Sequence, residues 1–332
     1  MNQLAPVLNT HSSINVDEQP HAFIFNENNL LKYEMASMQT LSLIHQALRS
    51  AKQVHSGVCH KELSKQIASI ELNQPLNNVE QALGEIKSLY LDHAVYFHHP
   101  KYVAHLNCPV AYPAVIAEQL LTAINSSLDT WDQSAGGTLI EQKLIDWSIE
   151  RIGLSATADG IFTSGGSQSN LMALLLARDH AAERLSGHLI RDFGLGPDAH
   201  RYRIFCSEVS HFSIQKSAAL LGLGYNAVVP VTVDKEFKMD LAALDAAIDE
   251  CKAKGNIPIA LVATAGTTDF GSIDPIDKLK ARCKADNLWL HVDAAYGCGL
   301  LAADDHRHLL NGIEQADSVT LDYHKSFLQP VS

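Results

Sequence analysis

The chain has 332 residues, 46% of them apolar and 19% charged, which suits two domains or one large α/β domain with a sizeable core. Lys and Arg number 25 against 37 Asp and Glu, a net charge of −12 with no long basic stripe to offset it, and this excludes binding to a phosphate backbone. So few charges among so many apolar residues also exclude a disordered scaffold.

Cys59, Cys108, Cys206, Cys251, Cys283 and Cys298 show no paired or zinc-finger spacing, and read as reduced thiols rather than a secreted disulfide framework. The opening stretch MNQLAPVLNTHSSINVDEQP has neither the basic start nor the apolar run of a signal peptide. The longest apolar run, 171–177, is far short of a membrane span. The expectation is a soluble, cytoplasmic protein with no nucleic-acid or membrane partner.

Up to about residue 100 the chain reads as helices alone, for example over 29–50 and 77–95, where apolar residues recur at three- and four-residue steps. From about residue 152 short apolar, β-branched runs alternate with amphipathic stretches. The spacing predicts strands over 160–163, 201–206, 227–233, 257–264, 288–293 and 318–321. Helices are predicted between them over 168–182, 214–223, 241–254 and 275–286. Such alternation predicts βαβ units and a mostly parallel sheet covered on both faces. Ligands of open α/β sheets bind beyond the carboxyl ends of the strands, so polar residues that terminate apolar runs are the candidates.

Four motifs occupy such ends. Thr163-Ser-Gly-Gly-Ser-Gln-Ser-Asn170 joins a strand to a helix, where small residues and unpaired N–H groups can cradle an anion; a plain capping turn is the alternative. The same segment approximates a nucleophile elbow with Ser167 as nucleophile and Asp293 and His324 as partners, although Ser169 stands where a glycine is expected. Ser207-Glu-Val-Ser-His211 offers a flat imidazole that could stack on a planar ligand, or a helix cap. Leu288-Trp-Leu-His-Val-Asp293 runs an apolar strand into a carboxylate, which is costly unless something cationic meets it. A protonated pyridine nitrogen would serve, as would a structural Arg or Lys. His291 reads as a local hydrogen-bonding residue. Finally, Asp317-Ser-Val-Thr-Leu-Asp-Tyr-His-Lys325 ends in His324 and Lys325, where burial could free the lysine amine for imine chemistry. Gly222-Leu-Gly-Tyr-Asn-Ala227 follows a helix and enters a strand, the reverse of a dinucleotide fingerprint, and reads as a helix-ending turn. His93, His98, His99 and His105 lack metal-site spacing, and no metal is expected.

Together the four motifs supply an anion cradle, a flat cover, a carboxylate and an amine, the set that a pyridoxal phosphate site needs. The segments TSGGSQSNLMALLLAR, SEVSHFSIQKSA, LVATAGTTDFGSIDP, LWLHVDAAYG and DSVTLDYHKSF, in that order, resemble the group II pyridoxal-phosphate amino-acid decarboxylases. Within that group HHPKYVAHLNCPVAYPAVIAEQ, DTWDQSAGGTLIEQKLIDW and DYHKSFLQPVS resemble the decarboxylases of L-2,4-diaminobutyrate.

The resemblance implies a fold-type-I α/β large domain over 101–332, preceded by an N-terminal helical segment over 1–100. It implies pyridoxal 5'-phosphate as cofactor and a homodimer acting on a small amino acid, diaminobutyrate to 1,3-diaminopropane and carbon dioxide. Lys325 would hold the cofactor as a Schiff base and His324 would contact its phosphate. Asp293 would keep the ring nitrogen protonated, Ala295 would pack under the ring and His211 would stack over it. Gly166 and Ser167 would bind phosphate, and Thr267 would lie in the loop facing the cofactor. Residues 105–109 would lie toward the substrate, at or near the subunit interface.

Two departures qualify the resemblance. Ser326 stands where relatives carry a bulky apolar residue, and the chain ends seven residues after Lys325, at Ser332. The resemblance therefore implies a C-terminally truncated chain without the small domain and without a strand that inserts into the sheet, leaving unpaired edges. An α/β-hydrolase using Ser167, a non-catalytic fragment of the decarboxylase and an aminotransferase are the other readings.

Overall fold

The structure, a computed structural model, describes residues 23–76, 78–103 and 107–331. Backbone packing divides the chain into Met1–Ala104 and His105–Ser332.

The first unit contains α1 (Leu30–Ser50), α2 (His60–Ala68) and α3 (Val79–Leu89). Asn78 caps α3 by accepting the Gln81 N–H at 2.9 Å, satisfying one of the orphan donors of the first turn. The helix predicted to reach residue 95 stops at Leu89: Tyr90 leaves helical geometry, a short 3-10 turn Leu91–His93 follows, and the Tyr96 hydroxyl donates to the Leu91 carbonyl. Asn77, its predicted first residue, lies outside the described residues. None of the described side chains of this unit is buried, and Leu31, Met38 and Leu41 lie exposed on α1.

The second unit begins with α4 (Tyr112–Ile124) and α5 (Ala135–Ile152), closed by Asn125 and Gly153 in the left-handed conformation that ends helices. Then come α6 (Gly166–Ser186), the short α7 (Ile190–Phe193), β1 (Tyr202–Ser207), α8 (Ser213–Leu220), β2 (Val228–Val231), α9 (Leu241–Ala253), β3 (Ile257–Thr264), α10 (Ile276–Asp286), β4 (Trp289–Asp293) and β5 (Ser318–Thr320). The strands form one sheet in the order β2-β1-β3-β4-β5, with all pairs parallel. Parallel strands need long crossovers, and the helices supply them, so both faces are covered. That is why β3 and β4 read as nearly continuous apolar runs. Alternate residues feed two cores: Phe205, Leu261, Leu290 and Val292 face one, while Ile204, Cys206, Ala260 and Val262 face the other, against Leu174 and Ala177 of α6.

The strand predicted over 160–163 is absent; these residues are irregular and pair with nothing. A strand needs a partner ladder, and none reaches this segment among the described residues. Between it and β5, the edge strand of the sheet, lies a cleft of about 1200 Å³. The outer edge of β5 is accordingly unpaired. The predicted run 227–233 is shorter than expected because Ala227 closes a 3-10 turn and Val233 bridges back to Met239.

Register places the site. Thr264 is paired with Asp293, and Asp293 with Thr320, so three strands end on one rung. Everything that follows these residues emerges along the same carboxyl edge.

Candidate active site

Gly165 precedes α6 with φ +142°, a backbone conformation that glycine adopts readily, and the amides of Gly166 and Ser167 stand before the first helical hydrogen bonds. The turn is stiffened from both sides. Ser164 N–H and Oγ both donate to Gln168 Oε1, at 2.9 and 2.6 Å, and Thr163 and Ser169 share a hydroxyl bond of 2.7 Å. The result is two unpaired N–H groups on the positive end of a 21-residue helix. A Cβ on Gly166 would sit 3.7 Å from both Ala295 Cβ and Asp322 Oδ2, so the helix start faces the loops after β4 and β5.

Asp293, at the end of β4, is buried. Its Oδ1 accepts the Ala295 N–H at 3.1 Å and its Oδ2 accepts the Asn170 side-chain amide at 2.8 Å. Neither partner is cationic. A protonated ring nitrogen is the kind of group that would complete this carboxylate. His211, after β1, is half-buried; its Nδ1 lies 2.8 Å from Ser213 Oγ, and Asp293 and Lys325 are among its electrostatic neighbours. Burial pushes its imidazole pKa down, Asp293 works against that, and Lys325 and Lys216 add to it.

The segment after β5 is organised by Asp322, which is buried. Its Oδ1 lies 2.5 Å from His324 Nδ1 and its Oδ2 lies 3.5 Å from Lys325 Nζ. Cys298 Sγ lies 3.5 Å from the carbonyls of both Ala295 and Asp322, tying the two loops together. Thr267 is buried and spends its hydroxyl within its own turn, where it meets Ser272 Oγ at 2.8 Å and accepts the Ser272 N–H. Ser326 closes against Gly299, which has no Cβ to obstruct it, and donates to the Tyr296 carbonyl. That packing accommodates a serine at position 326. The large cleft borders the site along the turn before α6, at Thr163, Ser164, Gly165, Gly166 and Ser169, and at Asp322 and His324.

The elbow reading fails on geometry. Ser167 is exposed on the first turn of α6, Asp293 faces Asn170, and His324 faces Asp322. No hydrogen bond joins Ser167, Asp293 and His324 among the described residues, so there is no hydrolase triad. Asn170 and Asp322 were missed from sequence. Asn170 read as part of a capping turn, and Asp322 lay in the shadow of the adjacent histidine and lysine. His105 lies outside the described residues.

An open parallel sheet with a helix start offering two unpaired N–H groups, a buried carboxylate and a lysine past neighbouring strand ends fits a pyridoxal-phosphate enzyme of fold type I. The profile of the pyridoxal-dependent decarboxylase conserved domain matches residues 62–331, and the chain belongs to that family.

Among curated relatives, the chain is 37% identical over 323 residues to the L-2,4-diaminobutyrate decarboxylase of Acinetobacter baumannii, covering 95% of this chain and 63% of the relative. It is 40% identical over 302 residues to the L-2,4-diaminobutyrate decarboxylase of Rhizobium meliloti (strain 1021), covering 90% and 58%. The crystal structure of the glutamate decarboxylase domain of diaminobutyrate-pyruvate transaminase and L-2,4-diaminobutyrate decarboxylase from Vibrio parahaemolyticus superposes with a TM-score of 0.88. It is 39% identical, over 93% of this chain and 67% of that one. The chain thus spans roughly 60% of the length of the curated relatives it matches.

Proposed function

We propose that this site belongs to an amino-acid decarboxylase whose substrate is a small diamino acid, L-2,4-diaminobutyrate, releasing carbon dioxide and 1,3-diaminopropane. The observation that carries the reading is the buried Asp293 carboxylate, met among the described residues by neutral donors, on the same strand-end edge as the Lys325 amine. The substrate rests on the two diaminobutyrate decarboxylases among the relatives. Residues 101–332 are assigned as the cofactor-binding large domain and 1–100 as an N-terminal helical segment.

Pyridoxal phosphate, when bound, supplies an electron sink for the pair left behind by carbon dioxide. The chain's own residues do the rest. Lys325 offers the amine that attaches the cofactor, and Asp322 keeps that amine and the His324 ring beside the start of α6. The Gly166 and Ser167 amides, with His324, bind the phosphate. Asp293 holds a proton on the ring nitrogen, a charge that a buried carboxylate stabilises strongly. Ala295 would support one face of the ring and His211 would cover the other, excluding water. Thr267 shapes the facing loop.

A homodimer fits the exposed surface. On α4, Ile116, Leu120, Leu121 and Ile124 are all more than half exposed, an apolar face that a second copy would cover. A cytoplasmic location fits six free thiols; no helix among the described residues is long and apolar enough to cross a membrane.

The test is borohydride reduction of the chain mixed with pyridoxal phosphate, followed by peptide mass mapping. A cofactor adduct on Lys325 is expected, and absent from Lys325→Ala. Soluble, folded protein with no adduct would overturn the assignment.

A further inference from the structure

Behind Asp293 lies a buried polar network that the proposed chemistry leaves unused. Trp289 Nε1 is 2.8 Å from Ser318 Oγ, which is 2.9 Å from His291 Nδ1. His291 Nε2 is 3.0 Å from Asn170 Oδ1, and Asn170 Nδ2 is 2.8 Å from Asp293 Oδ2 and 2.9 Å from Ser213 Oγ. Ser213 Oγ in turn reaches His211 Nδ1 at 2.8 Å. His291 and Asn170 are almost completely buried, so their ring nitrogens and amide must be satisfied within the protein, while Trp289, Ser318 and His211 are half-buried.

The proton positions follow from the Asp293 end of the network, with the Trp289 end as a check. An indole N–H can only donate, so Ser318 Oγ accepts from Trp289 and keeps its own proton free to donate to His291 Nδ1. At the other end the Asp293 carboxylate can only accept, so the Asn170 group facing it is the NH2 and its Oδ1 faces His291. That oxygen needs a donor, which is His291 Nε2–H. The Asp293 end fixes this tautomer, and the Trp289 end is compatible with it. Ser213 Oγ, accepting from Asn170, donates to His211 Nδ1, and the Ser213 backbone N–H also points there at 3.3 Å. Two donors on Nδ1 leave the His211 proton on Nε2.

Ser318 also presents two acceptors to His291 Nδ1, its Oγ at 2.9 Å and its carbonyl at 3.2 Å. A proton there would require an imidazolium, which complete burial disfavours although Asp293 favours it, or a bare Nε2 facing Asn170 Oδ1.

We infer that His291 is a positioning residue. As a neutral ring with its proton on Nε2, it locks the Asn170 amide so that Asn170 donates to Asp293 and, through Ser213, fixes the His211 proton on Nε2, the nitrogen not held by Ser213. The tautomers stand independently of the cofactor; only the affinity readout below rests on the cofactor reading.

The first experiment records long-range ¹H–¹⁵N spectra of the full chain labelled on histidine, without cofactor, assigned with His291→Gln and His211→Asn. Both rings are expected as neutral Nε2–H tautomers. An Nδ1–H or doubly protonated His291 would overturn the inference without any further variant. In Ser213→Ala, His211 should gain Nδ1–H population while His291 stays unchanged; an unaltered His211 would remove the Ser213 link.

The second experiment measures pyridoxal phosphate affinity by equilibrium dialysis. His291→Gln keeps a donor toward Asn170 and an acceptor toward Ser318, and should bind within about threefold of the parent. His291→Phe leaves Asn170 Oδ1 unpaired and should bind about tenfold or more weakly, the equivalent of one buried hydrogen bond. Equal binding by two folded variants would refute a positioning role. A parent chain that binds no pyridoxal phosphate would sink the cofactor reading and leave the spectra to decide the tautomers.

Discussion

Asp322 Oδ2 lies 3.5 Å from Lys325 Nζ, while the other oxygen of the same buried carboxylate lies 2.5 Å from His324 Nδ1. One side chain therefore fixes two neighbours whose own backbone lies past the end of β5. Replacing it with alanine releases both. Asp322→Ala is expected to weaken pyridoxal phosphate binding about tenfold or more, the scale of one lost charge-assisted hydrogen bond. Equilibrium dialysis checks this, with circular dichroism to show that the fold persists.

Asp293→Asn replaces the carboxylate with an amide of the same shape. In the proposed reaction the ring nitrogen would lose the charge that holds its proton, and the decarboxylation rate is expected to fall about a hundredfold or more, as when a preorganised electrostatic partner is removed. Carbon dioxide release at saturating substrate measures it.

Much of this arrangement was legible in the sequence. The strand over 257–264 coincides with β3, and those ending in Cys206 and Asp293 differ from β1 and β4 by one residue. These segments are buried on both faces, so apolar continuity marks them. The segment 160–163 has the composition of a strand but no partner, and partners are set by tertiary structure. Asp293 could be singled out because it terminates an apolar run, and His211 and Lys325 because they follow shortly after one. Asn170 and His291 could not be paired, because 121 residues separate them and neither type is diagnostic alone.

Gly266 has φ +97°, and a Cβ there would lie 2.8 Å from Tyr296 Cδ1. Gly266→Ala is therefore strained in backbone and in packing, and should cost about 1–3 kcal/mol in urea unfolding.

Burial pushes the Asp274 carboxyl up to about 6 from 3.8, against the pull of N–H donors from Thr264 and Met239. The folded state thus holds this proton more tightly than the unfolded chain. The resulting stabilisation is complete below about pH 4 and is lost as pH rises through about 6, on the order of 3 kcal/mol in all. Asp274→Asn cannot titrate, so the stability gap between parent and variant should shrink as pH rises across that interval. Thermal melts at about pH 4.5 and 7 check the sign.

On α4, replacing Leu120 and Ile124 together with glutamate should convert the proposed dimer to monomer, because burying two unpaired carboxylates costs far more than the apolar contact returns. Sedimentation velocity distinguishes the two states.

The hydrogen bond from Asn170 to Asp293 spans 123 positions of the chain, and the one between Ser148 and Tyr323 spans 175. Closing such distances is entropically expensive, and parallel pairing returns nothing until the crossovers are complete. The cofactor pocket must therefore come into being late on the folding pathway, after β3, β4 and β5 have found one another. Ligand captured there stabilises the finished domain by mass action, so cofactor supply governs how long the folded chain survives rather than how fast it folds.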